Sequence, residues 1–247
     1  MTTEFYDSIG VDYAKRRKPD PRIEAPILDA LGDSRTVLNV GAGTGSYEPR
    51  DRRVVAVEPS RVMIEQRRRD AAPVVRASAT SLPFRDDCFE TTLAVLTIHH
   101  WPDPGRGLRE LRRVAREAVV VFTYDIHVGG FWLSDYFPEI LEIDRALMPE
   151  ISALEDALGP IEVTEVPIPH DCTDAFLGAH WRRPEAYLDA GVRSASSVFA
   201  RMKAVEAGAS RLAADLESGD WHRRYGGVLE LDAIDLGYRL VVARREA

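Results

Sequence analysis

The sequence predicts an α/β fold in which a doubly wound, mostly parallel sheet carries helices on both faces. Short apolar runs alternate with helix-like segments through the first half of the chain, which is the pattern of parallel strands joined by helical crossovers. With 247 residues, the chain has the length of one α/β domain with a well-buried core. The second half is less regular, so we expect inserted segments within the same single domain, residues 1–247.

The first half contains three predicted helices and five predicted strands. The helix at residues 22–31 has apolar residues at helical spacing and ends at Gly32, a favourable C-terminal residue. A second helix, residues 60–69, follows Pro59, and a third, residues 104–116, is amphipathic. The predicted strands are residues 36–40, 54–57, 74–75, 92–98 and 118–123.

The second half combines helical patches with two further strands. Residues 131–158 contain helical patches that are rich in aromatic and acidic side chains. Residues 161–168 alternate like a sixth strand, and residues 238–243 form the predicted final strand. Long connections in compact domains are often functional, so we interpret the stretches around the sixth strand as lid or substrate-site segments.

Composition and charge exclude several classes of protein. Hydrophobic residues make up 45% and charged residues 29% of the chain, as in ordinary globular proteins. The formal net charge of −8 argues against a nucleic-acid partner, because polyanion binding needs clustered positive charge. No apolar run approaches the roughly 20 residues that span a bilayer, and the N-terminus lacks a signal-peptide pattern. We therefore expect no membrane partner and a cytoplasmic location.

The cysteines and two arginine clusters are interpreted as structural features. Cys88 and Cys172 have no CxxC pattern and no histidine at metal-ligand spacing, so we expect neither a disulfide nor a metal site. Arginines cluster at residues 50–53 and 67–69. Such clusters usually lie on a solvated helix face or loop, and we predict the same here.

The strongest local motif is an apolar strand that breaks into alternating glycines at Gly41, Gly43 and Gly45. Glycines allow a tight turn and let a ligand approach the backbone without meeting a Cβ atom. The dinucleotide fingerprint GxGxxG would need a glycine at position 46 or 48, where Ser46 and Glu48 stand. The spacing therefore disfavours NAD.

A carboxylate, Glu58, ends the second predicted strand. Adjacent parallel strands place it beside the glycine loop at the carboxyl edge of the sheet, where open α/β sheets bind ligands. It can accept hydrogen bonds from both hydroxyls of a ribose. Alone it could equally be a solvent-facing strand end or the first acid of a helix, but next to the glycine loop it indicates a nucleoside site.

Four segments in this order resemble a known family: VLNVGAGTGS, VVAVEPS, ASATSLPFRDDCFE and LAVLTIHHWPD. They are similar to the motifs of class I S-adenosylmethionine (SAM)-dependent methyltransferases of the type-11 group, and the resemblance covers residues 5–124. It implies a seven-stranded Rossmann-like sheet, SAM as the cofactor and a small-molecule methyl acceptor. Residues 1–34 would cover the cofactor, 35–124 would bind it, 125–237 would form the acceptor side, and 238–247 would contain the final strand.

The resemblance also implies roles for individual residues. The glycine loop would line the methionine and ribose portions of SAM, and Glu58 would hold the ribose hydroxyls. Ser78 and Ala79 would edge the adenine, and the backbone near Val95 and Leu96 would face the methionyl amine.

An N-terminal cover is implied as well. Tyr6 and Tyr13 resemble aromatic residues that fold over the cofactor, and Arg17 would pair with its carboxylate. The complete set of implied cofactor-binding residues is Tyr6, Tyr13, Arg17, Gly41, Ala42, Gly43, Gly45, Glu58, Pro59, Ser78, Ala79, Val95 and Leu96.

The sequence departs from the family pattern at three places. Asn39 stands where the family usually has an acid that receives the methionyl amine, and Ser78 replaces a common aspartate at the adenine amine. Eight residues separate Gly45 from Val54, and Pro49 interrupts them, so the first crossover helix must be very short. We expect lower cofactor affinity but a preserved pocket.

Methyl transfer from a sulfonium needs mainly orientation, proximity and exclusion of water, with a base only if the acceptor must lose a proton. We expect residues 124–171 to build the acceptor pocket. His170, beside Asp171, is the first candidate base and His99 the second; alternatively, His170-Asp171 starts a helix and His99 only packs. Aromatic residues could wall the pocket or belong to the core, namely Phe131, Trp132, Tyr136, Phe137 and Trp181.

Two other functions are consistent with part of this pattern. A non-catalytic SAM-binding or regulatory protein would keep the glycine loop and Glu58 without turnover. A nicotinamide-dependent oxidoreductase is disfavoured by the glycine spacing. The methylated atom, whether oxygen, nitrogen, carbon or sulfur, and the oligomeric state are left open by the sequence.

Overall fold

A computed structural model describes residues 17–128 and 131–245 of the chain, so the predictions for Tyr6 and Tyr13 lie outside the described residues. The strands of these residues are β1 (Thr36–Val40), β2 (Arg53–Val57), β3 (Val74–Val75), β4 (Phe89–Val95), β5 (Ala115–Tyr124), β6 (Glu162–Glu165), β7 (Ile168–Pro169), β8 (Ala233–Ile234) and β9 (Tyr238–Arg244).

Seven of the described strands form one sheet in the order β3-β2-β1-β4-β5-β9-β6. Strands β1 to β5 pair in parallel, and β9 pairs antiparallel with both β5 and β6. The chain order reverses between β1 and β4, which creates a switch point at the carboxyl edge of the sheet. The predicted doubly wound, seven-stranded and mostly parallel sheet is confirmed.

The first described helix shows how local sequence sets helix ends. The Asp20 carboxylate accepts a hydrogen bond from the Arg22 backbone N–H at 2.9 Å and caps the helix, and Pro21 occupies its first turn. The helix stops before Gly32, whose φ of +52° suits a glycine. The helices are α1 (Pro21–Ala30), α2 (Arg61–Glu65), α3 (Pro104–Val114), α4 (Leu133–Tyr136), α5 (Glu139–Leu147), α6 (Ile151–Leu158), α7 (Ala190–Ser194), α8 (Val205–Ser218) and α9 (Asp220–Tyr225).

Each face of the sheet has its own apolar layer. Successive strand residues alternate between the layers: Leu93 belongs to the core on the α1 side, and Ala94 to the core that contains residues of α3 and α6. A third apolar cluster joins α4, α5, α8 and α9 beside the sheet. Among the described residues, none of the helices combines the length and apolar character that crossing a bilayer requires.

The predicted sixth strand, residues 161–168, is wrong as a single element. Strand β6 pairs with β9 at the sheet edge, whereas β7 pairs with β8 in a separate two-stranded sheet. Pro167 stands between β6 and β7 and has no N–H to donate to a ladder. The apolar alternation of residues 161–168 therefore continues across a break between two sheets.

Two other boundaries differ for local reasons. The helix predicted at residues 60–69 is only α2, because the chain turns after Gln66 and Arg67 enters the interior. The strand predicted at residues 92–98 begins three residues earlier and ends before Leu96, whose φ of +49° is incompatible with a strand. Between β1 and β2 the chain forms turns without a helix.

Candidate cofactor and acceptor site

The glycine loop lies at the switch point, directly after β1. The backbone N–H groups of Gly41 and Ala42 both donate to the Val57 carbonyl, at 2.8 and 3.0 Å, and so fasten the loop to the end of β2. Gly41 has a φ of +72°, and a Cβ atom there would lie 2.0 Å from Thr97 Oγ1. Position 41 therefore requires glycine for both its conformation and its space.

Glu58 is held beside this loop by two backbone groups. Its carboxylate accepts the Gly43 N–H at 2.8 Å and the Ser60 N–H at 2.9 Å, and only 6% of the residue is exposed. Ser60 also caps α2 by accepting the Met63 N–H at 3.2 Å. The carboxylate is thus oriented by the fold itself, as a group that recognises vicinal hydroxyls should be.

A cleft of about 1110 Å³, counted with its open mouth, adjoins the loop and Glu58. Of the predicted cofactor-binding residues, the cleft is lined by Arg17, Gly41, Ala42, Gly43, Glu58, Pro59, Ser78, Ala79, Val95 and Leu96. The cleft is also lined by residues that were not predicted to bind the cofactor, although most of them lie within the four motifs, namely Thr44, Ser46, Tyr47, Ser60, Met63, Thr97, Trp101 and Pro102.

Gly45 is the described member of the predicted set that does not line this cleft. Its φ is +92°, and a Cβ atom there would lie 3.1 Å from Glu48 Oε2 and 3.4 Å from Arg67 Nη1. The glycine makes room for an ion pair behind the loop.

That ion pair explains the asparagine that departs from the family pattern. Arg67 Nη2 donates to both oxygens of Glu48, at 2.6 and 2.8 Å, and its Nη1 donates to the Gly43 carbonyl at 3.1 Å. Asn39 Nδ2 donates to Glu48 Oε1 at 3.2 Å. An aspartate at position 39 would put a second carboxylate against Glu48, whereas the amide supplies a hydrogen-bond donor to it. Arg67 is therefore buried, against the prediction of a solvated cluster.

Arg17 lines the cleft and is anchored from behind. Its Nε donates to Asp174 Oδ1 at 2.7 Å, and Tyr47 donates its hydroxyl to Asp174 Oδ2 at 2.8 Å. Asp174 is fully buried, so the guanidinium is held in place by a carboxylate that solvent does not reach. Pairing of Arg17 with a cofactor carboxylate stays a prediction.

A second cavity, of about 650 Å³ counted with its open mouth, lies beside the cofactor cleft, and the two share Arg17, Leu96 and His100 in their linings. We call it the acceptor cavity. The predicted pocket segment 124–171 supplies part of its wall, and residues 176–201, which lie outside that segment but within the predicted acceptor side 125–237, supply another part. The remaining lining residues are His99, Tyr124, Ile143, Asp144, Leu147, Met148, Phe176, Leu177, Ala195, Ser196, Ser197, Val198, Arg201 and Tyr238.

The two candidate bases lie in different environments. His99 lines the acceptor cavity, where burial, helped by the charges of Arg201 and Arg17, lowers its pKa to about 4. Its imidazole is therefore neutral near pH 7 and weakly basic. His170 lines neither cavity; its Nδ1 lies 3.1 Å from the Asp232 carbonyl. Asp171 pairs with Arg22 and begins no helix, so the alternative of a helix cap is wrong.

Most of the aromatic residues considered for the acceptor pocket belong to the core instead. Trp132, Tyr136 and Phe137 pack in the third apolar cluster, and Trp181 is fully buried in the core on the α1 side. Phe131 lies beside these clusters and lines neither cavity. Within residues 17–128 and 131–245, the Phe, Tyr and Trp side chains that line the acceptor cavity are Tyr124, Phe176 and Tyr238.

The fold and the site together define an α/β protein with a nucleoside site. A glycine loop and a strand-end carboxylate at the switch point form this site, and a second cavity shares three lining residues with it. The chemistry of this lining fits SAM: Glu58 suits the ribose hydroxyls, Ala79 and Met63 are apolar neighbours for an adenine, and Asn39 offers an acceptor to an amine.

The comparisons identify the family of this class. The model of a methyltransferase domain matches residues 38–123. A crystal structure from Anabaena variabilis, assigned as a methyltransferase from an antibiotic biosynthesis pathway, has 35% identity and a TM-score of 0.85 over 92% of this chain and 98% of that chain. The chain belongs to the class I SAM-dependent methyltransferases, and its cofactor is SAM.

Two further matches are more limited in extent or identity. An uncharacterized methyltransferase of Mycobacterium sp. (strain KMS) is 37% identical over 109 residues, and the match covers 39% of this chain and only 41% of that relative. The geranyl diphosphate C-methyltransferase of Streptomyces coelicolor A3(2), solved with S-adenosyl-L-homocysteine, has 14% identity and a TM-score of 0.52 over 90% of this chain and 75% of that chain. The second likeness shows the fold alone.

The N-terminal cover can be tested by truncation. Deleting residues 1–18 is expected to weaken SAM binding, because it removes Arg17 from the linings of both cavities together with the predicted cover residues Tyr6 and Tyr13. Calorimetric titration with SAM measures the effect, and far-UV circular dichroism should stay close to that of the full chain. If the truncated protein folds and binds SAM with unchanged affinity, residues 1–18 do not cover the cofactor.

Proposed function

We propose that this protein transfers the methyl group of SAM to a small molecule bound in the acceptor cavity, chiefly by proximity and orientation. One observation carries the proposal: the acceptor cavity and the cofactor cleft share Arg17, Leu96 and His100 in their linings. A compound in the cavity would thus lie next to the part of the cleft that these three residues line. SAM supplies an electrophilic methyl group with a neutral thioether as the leaving group.

The residues of the chain bind, orient and exclude water. Glu58, Ser78 and Ala79 would hold the nucleoside end of SAM, and the backbone at Val95 and Leu96 would face its methionyl end. Leu96, which has a positive φ after β4, belongs to the wall of both cavities and can hold the two ligands in a fixed relation.

The shape and charge of the site support a small acceptor. The acceptor cavity is concave and lined mostly by apolar side chains, as small-molecule sites usually are. The net charge of −8 gives no general attraction to nucleic acid. The Anabaena protein comes from an antibiotic biosynthesis pathway, which is consistent with a small-molecule acceptor here. We propose that the protein acts in the cytoplasm.

Narrowing the acceptor cavity tests the proposal. Leu147→Trp, in the cavity wall, is expected to keep SAM affinity and to lower methyl transfer at least tenfold, because the larger ring occupies the acceptor volume. Transfer from methyl-labelled SAM to a panel of phenols, amines, thiols and enols measures turnover, and calorimetry measures SAM binding. Leu231→Trp, at a residue that is 42% exposed, is the matched control and should leave both unchanged.

The result also separates the enzyme from a non-catalytic SAM-binding protein. If the wild-type protein binds SAM but labels no compound of the panel, the regulatory alternative gains support. If Leu147→Trp turns over normally, the acceptor binds elsewhere.

A further inference from the structure

An unused carboxylate stands in the acceptor cavity. Asp144 lies on α5 and belongs to the cavity wall. Its Oδ2 atom is shielded from solvent and has no hydrogen-bond partner within the part of the chain that the structure describes. A buried carboxylate oxygen without a partner is costly, which is a reason to expect that a ligand supplies one.

The groups around Asp144 differ in charge. Arg17 is paired with Asp174, and the charges of Arg17 and Arg201 act on the two neighbouring histidines, which burial keeps neutral. The hydroxyl of Tyr238 donates to the Leu177 carbonyl at 2.5 Å. On α5 itself, the neighbours Glu142 and Arg145 are exposed. In the described part of the chain, the titratable or charged residues that line the cavity together with Asp144 are Arg17, His99, His100, Tyr124, Arg201 and Tyr238.

We propose that Asp144 is the base of the acceptor cavity and that the acceptor is a largely apolar compound with a weakly acidic hydroxyl, a phenol or an enol, which donates its O–H to Asp144 Oδ2. The inference rests on the proposed function and names the substrate class of that site. The aromatic wall favours a flat ring: Phe176 and Tyr238 have ring centroids 4.7 Å apart, and those of Tyr124 and Tyr238 are 5.5 Å apart.

An amine fits this cavity less well. It would arrive as an ammonium ion, which loses its solvation in a largely apolar cavity, whereas a hydroxyl arrives as a neutral group.

In the proposed methyl transfer, every bond that forms or breaks and the transferred proton are accounted for. The hydroxyl oxygen forms a bond to the methyl carbon, the bond between that carbon and sulfur breaks with its electron pair remaining on sulfur, and the hydroxyl proton passes to the Asp144 carboxylate. Asp144 then releases the proton to solvent when the product leaves. No oxidant or further reactant is needed.

The acidity of Asp144 suits this task. Burial raises its pKa to about 7, because the charged carboxylate loses solvation. A base with this pKa is partly ionised near neutrality and can both take up and release a proton. The pKa of His99, at about 4, makes that histidine the weaker proton acceptor.

Binding of phenol and of anisole, which has the same ring without the hydroxyl proton, tests the contact directly. In Asp144→Asn, the affinity for phenol at pH 8 is expected to fall about tenfold or more, since a hydrogen bond to a charged group is lost, while that for anisole stays constant. Glu142→Gln, an acid-to-amide change at an exposed position of the same helix, should bind both compounds like the wild type. Equal phenol affinity in Asp144→Asn and Glu142→Gln would overturn the proposal.

Turnover provides a second readout. With a phenolic acceptor, kcat of the wild type should rise with pH and level off above about 7, where Asp144 is ionised. Asp144→Asn should lower kcat roughly 100-fold, remove this inflection and leave SAM affinity unchanged. A retained inflection, or a preference for benzylamine over phenol, would contradict the assignment. If no compound of any class is methylated, the proposed function fails, while the phenol and anisole titrations still decide the role of Asp144 in binding.

Discussion

Replacing Glu58 by alanine is expected to lower the affinity for SAM roughly 100-fold, because hydrogen bonds between a carboxylate and two ribose hydroxyls are lost. The carboxylate is already oriented by the N–H groups of Gly43 and Ser60, so little ordering is needed when a ligand binds. Calorimetric titration with SAM and with S-adenosylhomocysteine measures the change.

The control distinguishes ligand contact from loop damage. Alanine leaves both the Gly43 N–H and the Ser60 N–H without an acceptor, whereas Glu58→Gln keeps one acceptor oxygen and replaces the other by an NH2 group. We expect Glu58→Gln to lose less affinity than Glu58→Ala and to melt closer to the wild-type temperature than Glu58→Ala does. If both variants bind SAM like the wild type, the nucleoside does not contact this carboxylate.

Replacing Arg67 by methionine is expected to lower the free energy of unfolding by about 3–5 kcal/mol, because the Glu48 carboxylate is left buried without its counter-ion. The side chains of Arg67 and Glu48 are only 4% and 7% exposed, so solvent does not replace the lost partner. The change also removes the donor to the Gly43 carbonyl, and we expect SAM affinity to fall with stability. Urea denaturation and SAM titration measure the two effects.

Arg68→Met is the matched control, since Arg68 pairs with Asp70 at the surface and both side chains are more than half exposed. Surface pairs contribute little, so its free energy of unfolding should change by less than about 1 kcal/mol. The double variant Arg67→Met/Glu48→Gln should recover part of the loss because no buried charge remains. If Arg67→Met and Arg68→Met lower the free energy of unfolding equally, the buried Arg67–Glu48 pair contributes no more to stability than the surface pair.

Strands β1, β2, β3 and β5 could be predicted to within a few residues because their apolar runs are short, continuous and bounded by turn residues. The predicted end of β4, residue 98, lies too far along the chain. The apolar character continues beyond Val95, although the chain leaves the strand at Leu96. A hydrophobic pattern indicates which residues are buried, but it does not indicate where the backbone adopts a positive φ.

The sequence alone determined the sheet, the glycine loop and Glu58, since these depend on residues that are close along the chain and on the rule that ligands bind at a switch point. Only the tertiary structure decided the rest. Arg67 pairs with Glu48, which lies 19 positions earlier in the sequence. Asp144 lines the same cavity as Tyr124 and Tyr238 because the elements that carry these residues fold against each other. The burial that leaves Asp144 Oδ2 without a described partner and raises its pKa exists only after those elements have packed, so no local pattern could indicate it.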